Sequence, residues 1–281
     1  MRSFSRTQIL LGALGILGIV LFGAWSEFQT LPDGHTHFWV FDIGQGDGLL
    51  IQSPSGRQIV IDGGPNLSLL EKLNDVLPRF DRSIDLLILS HPHIDHLAAF
   101  PEILRRYSVS AVMLSGVRYP NERYEEMLRE MQKRHVPIII PDPGKDLDFG
   151  DGLVLDILLP QTRYYGASIP SDHVHESMVV VRALFPGGSI MLTGDMEEDL
   201  ENELLQSGVD VTASILKLGH HGSRTSTSTG FLLEVHPSLA TASAGKGNQF
   251  KHPHMEIVKR LERFDVQLHM TANAGNLHLT W

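Results

Sequence analysis

Beyond Thr36 the chain is a succession of short apolar runs, each closed by Gly, Pro, Asp or Ser. HFWVFDI, GLLIQS and RQIVIDGG are rich in β-branched and aromatic residues and predict three strands, the second and third joined by the turn SPSG. SIDLLILS predicts another strand, and the apolar positions of LAAFPEILRRY recur at helical spacing. AVMLSG, NERYEEMLREMQKRH and VPIIIP then repeat strand, helix and strand. A second β-rich block follows in LVLDILLP, SMVVVRAL and SIMLTGD. The last third, ASILKLG, TGFLLEVHP, LATASAG, MEIVKRLERF and VQLHMTA, alternates strand with helix. Two mixed blocks of this kind predict an α/β chain in which two sheets pack face to face with helices outside.

A different pattern precedes this. Ile9 to Trp25 is a run of seventeen residues without a charge, with Arg2 and Arg6 before it and Glu27 after it. Apolar on all sides and near the lower length limit for crossing a bilayer, it is expected to anchor the chain in a membrane and leave the remainder outside the cytoplasm. A cleaved signal segment is the alternative, although SEFQTLPDG offers no clear small-x-small cleavage site. The expected organisation is therefore an anchor or signal segment over residues 1–26, a polar linker over 27–36 and one globular domain over 37–281.

Composition narrows the chemistry. Of 281 residues, 42% are hydrophobic and 20% charged, enough for a large core and unlike disordered, collagen-like or coiled-coil chains. Lys and Arg total 23 against 33 Asp and Glu, and the net charge of −10 argues against a broad basic face for gripping duplex nucleic acid. The absence of cysteine excludes disulfides, a thiolate nucleophile, Cys-ligated zinc and iron–sulfur clusters, so any metal chemistry must use His and carboxylates. Of fifteen histidines, nine fall in four tight clusters: His91, His93 and His96; His173 and His175; His220 and His221; His252 and His254.

The densest cluster, Ser90-His91-Pro92-His93-Ile94-Asp95-His96, stands between a predicted strand and a predicted helix. Such a loop is free of strand alternation, so its three imidazoles and one carboxylate can turn towards one point, a donor set suited to zinc, manganese or iron. Asp195 ends the strand SIMLTGD, where it could cap the helix EEDLENELL. Ser223 in HHGS could likewise cap a helix, while Arg224 and the Ser/Thr run behind it could hold an anion. Asp47 in GQGDG and Asp62 in DGG sit at turns after strands, where plain turn chemistry accounts for them.

HPHIDH resembles the metal-binding motif of the metallo-β-lactamase superfamily. With FDIGQGDGLLIQSPSGRQIVIDGG, LKLGHHGSRTS and HPHMEIVKRLE it is similar, over roughly residues 37 to 265, to the metallo-β-lactamase-like domain of the ComEC competence family. That domain follows membrane helices in the family; with one hydrophobic span here, a stand-alone relative lacking the multi-helix DNA channel is expected. The resemblance implies a four-layer αββα sandwich and two divalent ions, zinc or manganese. It implies His91 and His93 on the first ion, Asp95 and His96 on the second, and Asp195 bridging the two. A further His completes the first site, with His175 favoured over His173, and His252 or His254 closes the second. By analogy with ribonuclease-J-like relatives, His221 assists at the substrate phosphate or protonates the leaving oxygen beside His220, Ser223 and Arg224. Asp95 and His221 are then the catalytic candidates, and Asp47 and Asp62 support the site.

Two such ions would lower the pKa of bound water from about 16 to about 7, so hydrolysis is expected. The expected function is a membrane-tethered phosphodiesterase or nuclease acting on single-stranded DNA or short oligonucleotides. A metallo-hydrolase of a lactone, β-lactam or thioester and a non-catalytic anchored binding module are the alternatives. No protein partner is implied.

Overall fold

A computed structural model describes residues 6–28 and 30–281. From Thr36 onward the strands alternate side chains between two buried faces, as strands covered on both sides must. Phe38, Val40, Leu49, Ile51, Ile59, Ile61 and Ile88 face a central core shared with Leu155, Ile157, Val181, Ala183, Ile190 and Ile215 of the second sheet. Their neighbours Trp39, Leu50, Val60 and Leu87 point the other way, into a core built with Leu69, Leu73, Ile103, Leu104, Met127 and Met131 of the outer helices. The second sheet repeats this on its far side, where Met191, Leu216 and Ala240 meet Leu204, Phe231, Leu232, Ile257 and Leu261. The result is helix, sheet, sheet, helix: the four layers expected of the α/β sequence pattern.

The first sheet runs, edge to edge, through Leu277–Thr280, His37–Val40, Leu49–Gln52, Gln58–Ile61, Leu86–Ile88, Val112–Met113 and Ile138–Ile139. The second runs through Gln267–Met270, Leu239–Ala242, Ile215–Lys217, Gly188–Leu192, Val180–Phe185, Val154–Leu159 and Leu147–Asp148. Strands joined by short turns pair antiparallel, and those joined through helices pair parallel. Helices Ser68–Val76, Phe100–Arg106 and Glu122–Arg134 cover the first sheet, and Glu198–Gln206, Thr229–Val235 and Met255–Arg263 the second.

Two elements depart from the sequence reading. Leu277–Thr280 was not anticipated; it pairs antiparallel with His37–Val40 in the register His37 to Thr280, and Thr36 and Trp281 exchange backbone bonds of 3.0 Å in both directions. At the other end the uncharged run does form a helix, Arg6–Phe28, two residues past the expected boundary and with Leu10, Ile19 and Phe22 exposed. Yet no helix among the described residues is long and apolar enough to cross a membrane. The membrane anchor, and the extracytoplasmic placement drawn from it, therefore lack structural support; seventeen uncharged residues lie at the short end of what spans a hydrocarbon core.

Candidate metal centre

One strand of the first sheet and two of the second deliver their C-terminal ends to one place, as open α/β sheets commonly do at ligand sites. Leu86–Ile88 leads into the HPHIDH loop, Gly188–Leu192 into Asp195, and Ile215–Lys217 into His220 and His221. Asp62, in the left-handed region at φ 59°, turns back from Gln58–Ile61 and accepts hydrogen bonds from the Ser90 amide (2.8 Å), the Ser90 hydroxyl (2.7 Å) and His96 Nδ1 (2.8 Å). That last bond fixes the His96 tautomer and leaves its Nε2 free to face the centre. His220, His221 and Gly222 are all left-handed, with φ of 44°, 55° and 86°; this rare run swings the His221 ring under the HPHIDH loop. A Cβ on the preceding Gly219 would lie 2.4 Å from the Met196 carbonyl oxygen, so only glycine admits the turn.

Three groups of donors result, one of them the fully buried Asp47, Asp62 and His96; the other two reach the mouth. In the first, His91 Nε2 lies 2.9 Å from His93 Nδ1, which in turn lies 3.4 Å from His175 Nε2. In the second, His96 Nε2 and His221 Nε2 lie 3.2 and 3.4 Å from Asp195 Oδ1, and His221 Nε2 is 3.4 Å from Asp95 Oδ2. Within each group the donor atoms all fall within 4.8 Å of one another. Asp195 faces both, because its Oδ2 is 3.9 Å from His91 Nε2. His91, His96, His221 and Asp195 form a buried floor, while His93, Asp95, His175 and His220 are partly exposed at the mouth.

The donor set suits divalent cations. Buried atoms His96 Nε2, His221 Nε2 and Asp195 Oδ1 have no aligned hydrogen-bond partner, a costly condition that a cation would relieve. Imidazole and carboxylate are the ligand types zinc and manganese accept.

Electrostatics differ between the groups. Burial, reinforced by nearby His96, holds His91 well below the ordinary imidazole value. Burial with His175 alongside brings His93 down to about 4, and burial lowers His175 as well. In the second group burial is outweighed: Asp195 and Asp62 hold His96 well above its usual value, and Asp195 and Asp47 push His221 up to about 9. Against its own burial, Asp195 is kept well below the carboxylate range by His221 and His96.

The structure brings most of the sequence candidates together and separates others. His175 joins His91 and His93; His173 is exposed and pairs with Glu176 at 2.6 Å. The fourth member of the second group is His221, where His252 or His254 was expected. His252 stands behind, its ring 6.4 Å from that of His221, and His254 accepts from the Arg224 amide at 3.0 Å. Asp195 is not a helix cap, since Glu197 occupies that position. His220 stays at the mouth with Nδ1 2.9 Å from Glu197 and Nε2 3.8 Å from Asp195. Ser223 is buried and bonded to Thr225 at 2.9 Å, and Ser226 is also buried, donating to the Gly219 carbonyl at 2.6 Å; of that anion-binding stretch only Arg224 and Thr225 are exposed before Thr229.

Lys217 is not among the residues that the sequence pattern points to. Its side chain is 1% exposed and its ammonium lies 2.6 Å from Asp47, itself fully buried, and 2.8 Å from the Leu218 carbonyl. Asp47 lies 3.4 Å from His221 Nδ1 and 3.9 Å from His96 Nδ1, so the ion pair lies directly beneath the second group. Against burial, the Lys217 ammonium and then His221 hold the Asp47 carboxyl far below its usual range. A lysine inside the otherwise apolar ILKL, one glycine before HHGS, was the available signal.

Residues 41–245 match the Metallo-beta-lactamase superfamily. The chain belongs to this superfamily. Among curated relatives it is 29% identical over 257 residues to ComE operon protein 3 of Bacillus subtilis, covering 85% of this chain and 32% of the relative. It is 29% identical to Recombination protein 2 of Haemophilus influenzae, covering 98% of this chain and 32% of the relative, and 26% identical to Competence protein ComA of Neisseria gonorrhoeae, covering 89% and 33%. The chain thus spans about a third of the length of these relatives. The superfamily fold recurs in YhfI of Bacillus subtilis (TM-score 0.57, 15% identity, 88% of this chain and 100% of that one). It recurs too in Zn(2+)-bound PqqB of Methylobacterium extorquens (TM-score 0.55, 11% identity, 86% and 99%). The superfamily and the donor groups agree on a metallo-hydrolase.

Proposed function

We propose that this metallo-hydrolase is a phosphodiesterase acting on nucleic acid, with two divalent cations, zinc or manganese, held side by side. The observation that carries the dinuclear reading is Asp195, one carboxylate whose two oxygens face the two donor groups separately. His91, His93 and His175 would hold one cation, and Asp95, His96 and His221 the other, with Asp195 shared. When bound, such cations make water nucleophilic at neutral pH and stabilise charge on a phosphoryl oxygen. Phosphodiester chemistry is favoured by the names of two relatives, a recombination protein and a competence protein, and by the exposed cationic Arg224.

The chain's own residues divide the remaining work. Asp62 holds His96 in the tautomer that presents Nε2, and Asp47, fixed by Lys217, faces His221 Nδ1 in the same way. His220, oriented through Nδ1 by Glu197, presents Nε2 at the mouth, where it donates a proton to the leaving oxygen. That role was expected of His221, which the turn instead buries among the cation donors. Arg224, exposed beside the mouth, engages a substrate phosphate. Tethering by the N-terminal helix forms no part of this proposal.

The test is metal content by mass spectrometry together with hydrolysis of bis-p-nitrophenyl phosphate, single-stranded DNA and a chromogenic lactam. Two bound cations and metal-dependent cleavage of the two phosphodiesters are expected. Turnover of the lactam alone would replace this reading with an acyl-transfer hydrolase, and absence of bound metal with a binding module.

A further inference from the structure

Beside the metal centre lies a cavity of about 760 Å³ that the centre's own residues do not line. It is walled by Tyr119, Tyr165, Leu114, Leu128 and Ile138, with Arg118 at its rim. Two connections join it to the mouth of the site. The Tyr119 ring stands 6.0 Å from the ring of His93, one of the partly exposed donors. Its opposite wall, the segment around Tyr165 and Gly166, is bonded to the Tyr119 loop through Gly166 N to Gly116 O (2.8 Å) and Arg118 N to Ala167 O (2.7 Å). That segment then leads into the short helix Ser171–Ser177 that carries His175.

The fit is to a flat, uncharged ring attached to an anion. Tyr165 is 66% exposed although it is a large aromatic, and its ring packs against Gly116, where an added Cβ would come within 2.6 Å of Tyr165 Cδ2; the glycine makes room for the ring. Leu114, Leu128 and Ile138 make the floor apolar. Arg118 is exposed and makes no ion pair among the described residues, while the carboxylate that reaches the same cavity, Glu125, is engaged by Arg129 at 3.4 Å. The volume lies within the 300–1,000 Å³ of ordinary ligand pockets.

We propose that this cavity seats the nucleobase adjoining the scissile phosphodiester, stacked against Tyr119 and Tyr165, with Arg118 meeting the next phosphate. The proposal rests on the phosphodiesterase reading and gives it a substrate class: an unpaired strand, because a base within a duplex is already stacked and cannot enter. Stacking on aromatic side chains tolerates every base, so the cavity selects single-strandedness without selecting sequence.

The test compares two strands of equal length and charge under metal-replete conditions, oligothymidylate and an oligomer of abasic residues, with the full chain. The wild type is expected to show a KM roughly ten-fold lower for the base-bearing strand, the size of one base–aromatic stack. Tyr165→Ala and Tyr119→Leu should each erase most of that ratio, Tyr119→Phe should preserve it, and Phe80→Ala, an exposed aromatic elsewhere, should not alter it. Equal KM values for the two strands in the wild type, or a preference that survives both tyrosine replacements, overturns the cavity's role while leaving phosphodiester hydrolysis standing. Failure of the wild type to cleave either strand or bis-p-nitrophenyl phosphate overturns the phosphodiesterase reading and this proposal with it.

Discussion

The two donor groups share the HPHIDH loop yet differ in charge. His91, His93 and His175 are imidazoles kept neutral by burial and by one another, so their lone pairs are available without any proton being lost. His96 and His221 face carboxylates and hold protons that a cation must displace. One half is ready for a cation; the other uses protons in its place. The difference arises from the partners each element brings: the helix carrying His175 adds only another imidazole, whereas Asp195, Asp95 and the Asp47–Lys217 pair surround the second half.

The replacement with the largest expected effect is the one that removes what the halves share. Asp195→Ala should lower affinity for both cations by more than the 10–100-fold typical of losing an outer-sphere partner, and should abolish turnover, as metal titration and hydrolysis assays would show. Retention of two tightly bound cations would break the shared-carboxylate picture. Next in size are the replacements that separate the halves: His93→Ala should leave one cation bound in the second group, and His221→Ala one in the first, each readable as a drop from two equivalents to one. Lys217→Met leaves a buried, unpartnered carboxylate and should cost about 3–5 kcal/mol in denaturant unfolding. Adding Asp47→Asn should recover most of that stability.

A pH series sharpens the comparison further. In the metal-free protein the first group's imidazoles have folded pKa values below the unfolded value of about 6.5, so the fold binds fewer protons than the unfolded chain and weakens as pH falls from 6.5 towards 4. His221, raised to about 9, stabilises the fold fully below 6.5 and loses that contribution as pH rises through 9. These groups together predict greatest stability near pH 6.5, with thermal melts in chelator declining on both sides; a monotonic profile would show that the halves do not differ in charge. The smallest effect is expected from His173→Ala, which should leave cation stoichiometry unchanged.

The sequence was most informative where one short segment carries the geometry. HPHIDH placed four donors after a strand, and SIMLTGD placed a carboxylate at a strand end; both needed only local pattern. His221 was identified but given another task, because its position depends on three consecutive left-handed residues that no periodicity reveals. Choosing His175 over His173 depended on a 3₁₀ turn, and residue type could not decide it. Lys217 escaped because a charged residue in a strand reads as a solvent-facing position unless a buried partner is known, and Asp47 lies some 170 residues away in the chain. The last strand was missed because NLHLT is short and follows a glycine turn, so only its pairing with His37–Val40 defines it.

Because Leu277–Thr280 lies against His37–Val40, and Thr36 bonds to Trp281, the polypeptide enters and leaves the sandwich through adjacent positions on one sheet edge. A fold whose ends are neighbours can be spliced between other segments of a larger protein without either flank crossing the other or disturbing the loops that carry the donor groups.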